Sequence, residues 1–482
     1  MIVFEDVSFT YALGGRTALR HVNLEIAEGE FVVLAGRSGS GKSTLLRCIN
    51  GLVPHFYGGR LDGRVLVDGI DTRASPVREA ARVVGMVFQD PENQFVTGSA
   101  RAEISFGLEN LGYDDREIGE KVAWIARRLG LESLLERSPL ELSGGEKQKI
   151  IIASVLAMGT KVVVLDEPTS QLDPYSSSEI LDLLSWIGEQ GYTVVVSEHR
   201  LPRLLERASR VVALEDGRIA FDGEPSQFSN RFSTLVKLGD GFRAPVSRNV
   251  EARQRLSARG LAFRYPDGSD WVLDGLSLDL MKSEVLSIVG RNGSGKSTLA
   301  AVLAGILKPH SGEILLDGKD ISSLPRLEAS KRIGIVFQDP NVHLFHDTVE
   351  EEIWFARKNL GLEDDGWVRA LVERMGLEGY MSSNPRDLSG GEREKVAIAS
   401  VVSHQPEVLI LDEPTRGLDL EEKRQLMSSL RQLAADSGLS VLLLSHDLEV
   451  VEAFSDRVGV LKAGKISYCG EPEEAIRRFW SK

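Results

Sequence analysis

The sequence predicts an α/β protein made of two similar domains, each with a mainly parallel sheet at its core. One observation is a loop pattern that occurs twice, GRSGSGKST from Gly36 to Thr44 and GRNGSGKST from Gly290 to Thr298, 254 residues apart (290 − 36). A second is the alternation of short apolar runs, such as FVVLAG, VVVLD and TVVVSEH, with helical patterns. Such runs are typical of buried parallel strands. A third is that further motifs recur in the same order in both halves, which indicates a duplicated domain.

The composition is that of a globular protein with more than one core. Its 482 residues exceed the roughly 250–300 at which single cores stop growing, and 42% of them are hydrophobic. The net charge of −14 argues against a non-specific nucleic-acid binder. No apolar run reaches the roughly 18 residues that span a bilayer, and the N-terminal MIVFEDVSF lacks a signal-peptide layout. Cys48 and Cys469 fit no disulfide or metal pattern, as expected in a reducing cytosol.

The repeated motifs locate the domain boundaries. They are VFQDP (Gln89 and Gln338), LSGGE (Ser143 and Ser389), LDEPT (Asp166 and Asp412) and the strand ends SEH and LSH (His199 and His446). Projecting the ends of each copy onto the other predicts a first domain over 1–235, a linker over 236–254 and a second domain over 255–482. The linker contains glycine, proline and charged residues, and it could extend to roughly 60 Å. That reach would let the two copies face each other. Between each repeated glutamine and the LSGGE motif, the pattern predicts a small helical subdomain.

The two glycine-rich loops are P-loops. Each follows an apolar strand run and opens a helical pattern, the context in which such a loop cradles phosphates with its backbone N–H groups. Lys42 and Lys296 are predicted to reach the β/γ-phosphates, and Ser43 and Ser297 to hold Mg²⁺. The sequence therefore predicts two nucleoside triphosphate sites. Their loop residues are Gly36, Arg37, Ser38, Gly39, Ser40, Gly41, Lys42, Ser43 and Thr44, and Gly290, Arg291, Asn292, Gly293, Ser294, Gly295, Lys296, Ser297 and Thr298.

An acidic pair follows an apolar strand in each half, Asp166-Glu167 and Asp412-Glu413. The aspartate suits Mg²⁺, and the glutamate is placed to act as a general base on an attacking water. One acidic pair at a strand end is a common surface feature. Its repetition downstream of a P-loop favours the functional interpretation.

With P-loop, Gln, LSGGE, LDEPT and His in this order, each half resembles the ATPase subunit of ABC transporters. The resemblance covers essentially the whole chain except the linker. It implies ATP and Mg²⁺ as ligands, and two domains packed head to tail as an intrachain pseudo-dimer. The P-loop of one domain would then face the LSGGE segment of the other, whose helix N-terminus suits a γ-phosphate.

The resemblance implies two composite sites. In each site, a tyrosine would stack on adenine, and a serine, a glutamine and an aspartate would bind Mg²⁺. The glutamine, a glutamate and a histidine would take part in catalysis. The first site would join Tyr11, the first P-loop, Gln89, Asp166, Glu167 and His199 with Ser389, Gly390 and Gly391. The second would join Tyr265, the second P-loop, Gln338, Asp412, Glu413 and His446 with Ser143, Gly144 and Gly145.

Some positions depart from the family pattern. Both LSGGE segments end in glutamate, Glu146 and Glu392, where many members have glutamine. The segments SQLD and RGLD differ from the commoner SALD but keep their aspartates, Asp173 and Asp419. No group that the chemistry needs is lost, so both sites are expected to hydrolyse ATP.

Two segments of the first half resemble the ATPases of energy-coupling factor importers of the cobalt and thiamine-precursor types. They are NGLVPHFYGGRLDGRVLVDGIDT and, after it, VFQDPENQFVTGSARAEISFGLENLG. This resemblance implies import of a vitamin or transition-metal ion. It also implies two partners, a transmembrane coupling protein and a substrate-binding membrane protein, with the chain peripheral at the cytoplasmic face of the membrane. The expected contact surface lies after each glutamine, at 91–95 and 340–344.

Other interpretations fit less well. Soluble tandem ATPases of the same superfamily act on ribosomes or in DNA repair, but the short linker, two isolated cysteines and absence of a heptad insertion oppose them. Sugar importers with tandem ATPases usually have a degenerate second P-loop, and this one is intact. His343 and His346 suggest a metal site, but without a third ligand they are better explained as exposed or partner-contacting residues.

Overall fold

The computed structural model describes residues 1–12, 14–198, 201–232, 253–266 and 270–480. The chain divides into two compact units, Met1–Lys237 and Leu238–Lys482. Most of the predicted linker lies outside the described residues. Its last position, Gln254, begins the first strand of the second unit.

The first unit is built around a mainly parallel sheet. Its strands are β1 (Ile2–Tyr11), β2 (Thr17–Ile26), β3 (Phe31–Ala35), β4 (Gly59–Val67), β5 (Ile70–Asp71), β6 (Val84–Val87), β7 (Val162–Asp166), β8 (Thr193–Ser197), β9 (Arg210–Glu215) and β10 (Arg218–Gly223). The sheet has the order β10-β9-β3-β8-β7-β6, and only the β9–β10 pairing is antiparallel. Strands β3, β7 and β8 are buried at every position, because alternate residues belong to two different hydrophobic cores, one on each face of the sheet.

A second, antiparallel sheet has the order β2-β1-β4-β5. Strand β2 shows the alternation of buried and exposed residues that a sheet with one solvated face requires. Ile2 pairs with Ile26 on β2 and with Val67 on β4, and all three side chains lie in the core. This sheet was not predicted from the sequence.

The helices of the first unit position the P-loop and the LSGGE segment. They are α1 (Lys42–Ile49), α2 (Leu52–His55), α3 (Val77–Ala80), α4 (Ala100–Leu111), α5 (Asp115–Leu129), α6 (Gly144–Ala157), α7 (Pro174–Glu189), α8 (Pro202–Leu205) and α9 (Pro225–Arg231). Short 3₁₀ turns span Glu132–Leu134 and Pro139–Glu141. Helices α4 and α5 form the predicted helical subdomain. Helix α5 is delimited by the capping box of Asp114 and by Gly130 in the left-handed conformation, the residue types expected at these ends.

The second unit repeats the strand arrangement. Its strands are β11 (Gln254–Phe263), β12 (Leu273–Met281), β13 (Val285–Val289), β14 (Ser311–Leu316), β15 (Lys319–Asp320), β16 (Ile333–Val336), β17 (Val408–Asp412), β18 (Ser440–Leu444), β19 (Arg457–Lys462) and β20 (Lys465–Gly470). The mainly parallel sheet has the order β16-β17-β18-β13-β19-β20, and the antiparallel sheet has the order β12-β11-β14-β15.

The helices of the second unit follow the same plan. They are α10 (Lys296–Leu303), α11 (Arg326–Arg332), α12 (Val349–Leu360), α13 (Trp367–Met375), α14 (Gly390–Val402), α15 (Leu420–Ser437), α16 (Leu448–Phe454) and α17 (Pro472–Trp480), with 3₁₀ turns at Ile321–Ser323, Pro340–His343, Glu378–Tyr380 and Pro385–Asp387. The predicted fold class, two α/β domains with a mainly parallel core and a helical subdomain, is confirmed. The predicted head-to-tail packing stays a prediction. Within the described residues, no helix is long and apolar enough to cross a membrane.

Candidate nucleotide-binding sites

The first P-loop connects β3 to α1 and closes around its own lysine. Gly41 has φ 109°, and a Cβ atom there would lie 2.6 Å from the carbonyl oxygen of Ala18, so only glycine fits. The Lys42 ammonium is buried and donates to the carbonyl oxygens of Gly36 and Arg37, at 2.8 and 3.0 Å. The loop therefore places a buried cation at the N-terminus of a helix, which is the arrangement that binds phosphate.

The second P-loop has the same construction between β13 and α10. Gly295 has φ 99° and immediately precedes the helix. The Lys296 ammonium donates to the carbonyl oxygens of Gly290 and Arg291, at 2.8 and 3.3 Å. Both units thus have the loop geometry that the sequence predicted.

The predicted adenine-stacking tyrosines are tied to these loops. The Tyr11 hydroxyl lies 2.9 Å from Thr44 Oγ1, and the Tyr265 hydroxyl lies 3.1 Å from Thr298 Oγ1. Tyr265 is exposed. The hydrogen bond fixes each ring beside the P-loop of its own unit, while adenine stacking itself stays a prediction.

Asp166, the predicted carboxylate ligand of Mg²⁺ in the first unit, is the last residue of β7. Asp166 Oδ1 accepts hydrogen bonds from Ser43 Oγ at 3.0 Å and from Ser197 Oγ at 2.7 Å. Burial raises the pKa of Asp166, although both hydroxyls act in the opposite direction. A carboxylate and a serine hydroxyl at hydrogen-bond distance provide the oxygen donors that Mg²⁺ prefers, so this pair fits the ion.

The glutamate that follows has an unusual backbone in both units. Glu167 has φ 48° and Glu413 has φ 54°, in the left-handed region that costs energy for residues other than glycine. Gln89 Nε2 donates to Glu167 Oε2 at 2.9 Å, which joins two residues that the sequence placed in one site. Strain retained at matched positions of the two units is typical of functional residues.

The second unit arranges its carboxylates differently. His446 Nδ1 lies 2.8 Å from Glu413 Oε2, and Lys296 Nζ lies 3.8 Å from Glu413 Oε1. Burial alone would raise the pKa of Glu413, but His446 and Lys296 outweigh it and the pKa lies below its ordinary value. Asp412 Oδ1 is buried and has no hydrogen-bond partner among the described residues, and burial raises the pKa of this carboxyl. Gln338 is exposed beyond β16.

His199, the predicted histidine of the first site, lies outside the described residues. A buried ion pair beside the second histidine, in which Lys423 Nζ and Asp447 Oδ2 are 2.6 Å apart, was not predicted from the sequence. Ser197 was missed as well. Its signal is a polar residue ending the apolar run TVVVS, at the position where the second unit has Leu444.

The LSGGE segments begin helices α6 and α14. Ser143 caps α6 and forms a capping box with Glu146, whose carboxylate accepts from the Ser143 backbone N–H at 2.8 Å. Ser389 and Glu392 repeat this box on α14, where the corresponding bond is also 2.8 Å. The glutamates that depart from the family pattern therefore stabilise helix starts. Both capping serines are exposed, and their predicted pairing with the P-loops of the other unit stays a prediction.

Part of the predicted partner surface is buried within its own unit. Leu344 is only 4% exposed and belongs to the core of its own unit, and Phe95 is half-buried. The next residue in each unit is exposed, Val96 at 63% and Phe345 at 69%. Val342, within the predicted range, is also exposed, at 47%, so the exposed apolar residues of the second unit begin inside the predicted range and continue to the residue that follows it.

Two histidines that suggested a metal site have local structural roles. His343 Nε2 accepts a hydrogen bond from the Phe337 backbone N–H at 3.0 Å. His346 Nδ1 lies 3.3 Å from Glu352 Oε1. Among the described residues there is no group of three or more His, Cys, Asp or Glu able to hold a metal ion.

Comparison with known proteins defines the class. A family model described as ABC transporter matches residues 19–170 and 273–416, and the chain belongs to this family. It is a tandem ABC ATPase, and the members of this family bind and hydrolyse ATP, generally with Mg²⁺.

Two relatives align over almost the whole chain. A Methanosarcina acetivorans protein named as an ABC transporter ATP-binding protein is 36% identical over 98% of this chain and 86% of the relative. A Treponema denticola protein of the same name is 35% identical over 99% of each. A solved structure of ribosome-bound archaeal Pelota and ABCE1 shares the fold, with a TM-score of 0.70, 22% identity and coverage of 98% of this chain and 80% of the other.

Proposed function

We propose that this protein binds and hydrolyses ATP to power import of a micronutrient, namely a vitamin, a vitamin precursor or a transition-metal ion, through separate membrane proteins. The supporting observation is that both units have a complete P-loop, a strand-end Asp-Glu pair and a capped LSGGE helix. The relatives named as transporter ATP-binding proteins extend over nearly the whole chain. The proposed partners are a transmembrane coupling protein and a substrate-binding membrane protein at the cytoplasmic face of the membrane.

The residues of the first unit define the proposed chemistry. The Lys42 ammonium and the N–H groups at the start of α1 hold the phosphates. Ser43 and Asp166 would hold Mg²⁺, which neutralises charge on the phosphate oxygens when bound. The Glu167 carboxylate accepts the proton of the attacking water, and its left-handed backbone together with Gln89 fixes its direction. The LSGGE helix of the opposite unit completes each site in the proposed head-to-tail arrangement.

Exposed apolar side chains at matched positions mark the proposed contact with the membrane partner. Besides Val96 and Phe345, these are Phe106 on α4, 44% exposed, and Phe355 on α12, 45% exposed. The recurrence of exposed apolar residues at equivalent positions of both units supports this proposed contact.

A buried glutamate makes each contact loop rigid. Glu103 Oε2 accepts from the backbone N–H groups of Val96 and Thr97, both at 3.1 Å. Glu352 Oε2 does the same for Phe345 and His346, at 2.6 and 2.8 Å. A partner that binds this loop is therefore connected to a rigid part of the unit, so that ATP-driven changes in the unit can reach it.

The test is a double substitution, Val96→Asp with Phe345→Asp, in cells that contain the native membrane partners. We expect the variant to leave the membrane fraction and to lose transport while it retains ATP binding. Phe56→Asp, which charges another exposed aromatic at 75% exposure, is the matched control and should stay on the membrane. Normal membrane association and transport by the double variant would refute this contact, and sedimentation of the protein with ribosomes instead of membranes would refute the transport function.

A further inference from the structure

Ser197, the last residue of β8, contacts Asp166, the predicted carboxylate ligand of Mg²⁺. Ser197 is completely buried, and its Oγ donates to Asp166 Oδ1 at 2.7 Å. The same Oγ accepts from the Glu167 backbone N–H at 3.1 Å. One hydroxyl thus contacts both residues of the acidic pair, and the backbone donor fixes the direction in which its own hydrogen points.

The second unit lacks this hydroxyl. Asp412 pairs with Leu444 across β17 and β18 in the register in which Asp166 pairs with Ser197. Leu444 packs in the hydrophobic core, and Asp412 Oδ1 has no hydrogen-bond partner in the described part of the chain. Burial raises the pKa of both aspartates, and a hydrogen bond from the P-loop residue Ser297 opposes the rise at Asp412, as the matching serine of the first P-loop does at Asp166. The two otherwise similar sites therefore differ in the additional hydroxyl of Ser197.

We propose that Ser197 is a positioning residue that fixes the Asp166 carboxylate for Mg²⁺, so that the first nucleotide site needs less Mg²⁺ than the second. This inference rests on the proposed function. Ser43 also bonds to Asp166, but it is itself a predicted ligand of the ion. Ser197 is held by the backbone of Glu167 and keeps its bond to the carboxylate when the ion binds. Hydrogen bonds to the ligands of a metal typically change its affinity by 10–100-fold.

The hydroxyl can be removed without removing the backbone pairing. The Glu167 backbone N–H also donates to the Ser197 carbonyl oxygen at 3.0 Å, and the parallel β7–β8 pairing does not involve the side chain. Ser197→Ala should therefore fold. Ser197→Thr keeps a hydroxyl and provides the conservative variant. Ser185→Ala removes a hydroxyl that bonds to the Leu181 carbonyl oxygen on α7, and serves as the control.

The experiment measures Mg²⁺-dependent ATP binding to the full chain in which Lys296→Ala disables the second P-loop. A fluorescent ATP analogue is titrated at increasing Mg²⁺ concentration, and a parallel titration in EDTA reports binding without the ion. For Ser197→Ala we expect the Mg²⁺ concentration at half-maximal binding to rise about tenfold, equal to about 1.4 kcal/mol. Binding in EDTA should be unchanged. Ser197→Thr and Ser185→Ala should remain within about twofold of the parent.

Three results would overturn the inference. One is an unchanged Mg²⁺ midpoint in Ser197→Ala, which would leave Ser197 a purely structural residue. Another is an equal loss of binding with and without Mg²⁺, which would mean that the hydroxyl acts on the nucleotide pocket as a whole. If the parent chain bound the nucleotide neither with Mg²⁺ nor in EDTA, the proposed function would be refuted, and this inference with it.

Discussion

Replacing His343 by glutamine should remove an acid-sensitive contact from the second unit. His343 Nε2 accepts from the Phe337 backbone N–H, so protonation of the ring would eliminate the acceptor. In the first unit Gln94 has this role. Its Oε1 accepts from the Phe88 backbone N–H at 3.0 Å, and its Nε2 donates to the Met86 carbonyl oxygen. Glutamine therefore fits this loop at any pH.

The sign of the pH effect follows from the pKa. Burial lowers the pKa of His343 below its ordinary value and outweighs the opposing effects of Glu352 and Asp339. Above about pH 6.5 the ring is neutral in the folded and unfolded states, and it contributes no pH dependence. Below that value the unfolded chain binds a proton that the folded protein does not. Stability then decreases as the pH falls towards the folded pKa, by at most about 1.4 kcal/mol per pH unit.

The assay is chemical unfolding of the full chain at pH 7.5 and 5.5. Where the two units unfold in distinct transitions, each transition is analysed by itself. His343→Gln should change stability little at pH 7.5, and should be more stable than the parent at pH 5.5 by up to about 1.4 kcal/mol. Gln94→His is the matched control, because it should introduce the same acid sensitivity into the first unit. Other titrating groups are common to parent and variant, so they cancel in the comparison. An identical loss of stability on acidification in the parent and His343→Gln would refute the reasoning.

Two further predictions concern ATP turnover. Glu167→Gln and Glu413→Gln should each reduce the rate of phosphate release at least about tenfold, because each would remove the proposed general base and add about 1.4 kcal/mol to the barrier. Unchanged turnover in either variant would refute ATP hydrolysis by the unit that carries the substitution. Ser389→Arg should disable the site built on Lys42, since bulk and charge at the start of α14 would keep a P-loop away. In the unsubstituted chain, a photo-crosslinking ATP analogue bound at the first P-loop should label residues 389–391. Labelling confined to the first unit would contradict the composite sites.

The main features of the fold could be predicted from local sequence. The P-loops, the all-apolar strand runs and the acidic pairs are short patterns whose chemistry depends on residues adjacent in the chain. Their order predicted two mainly parallel sheets with the candidate functional residues at the ends of strands, and the structure has such sheets and places Asp166 and Asp412 at the ends of β7 and β17. The alternating strands that form the antiparallel sheets were missed, although β2 shows a clear two-residue period.

The sequence by itself thus determined which residues are the candidates for phosphate binding and acid–base chemistry, because each is specified by neighbours within one motif. Only the tertiary structure decided which side chains support them. Ser197 meets Asp166 across 31 residues of chain because β7 and β8 lie side by side in one register. Leu344 is buried and Phe345 exposed because packing against the unit selects one side of an irregular loop. Contacts of this kind depend on how distant segments pack, and no local pattern specifies them.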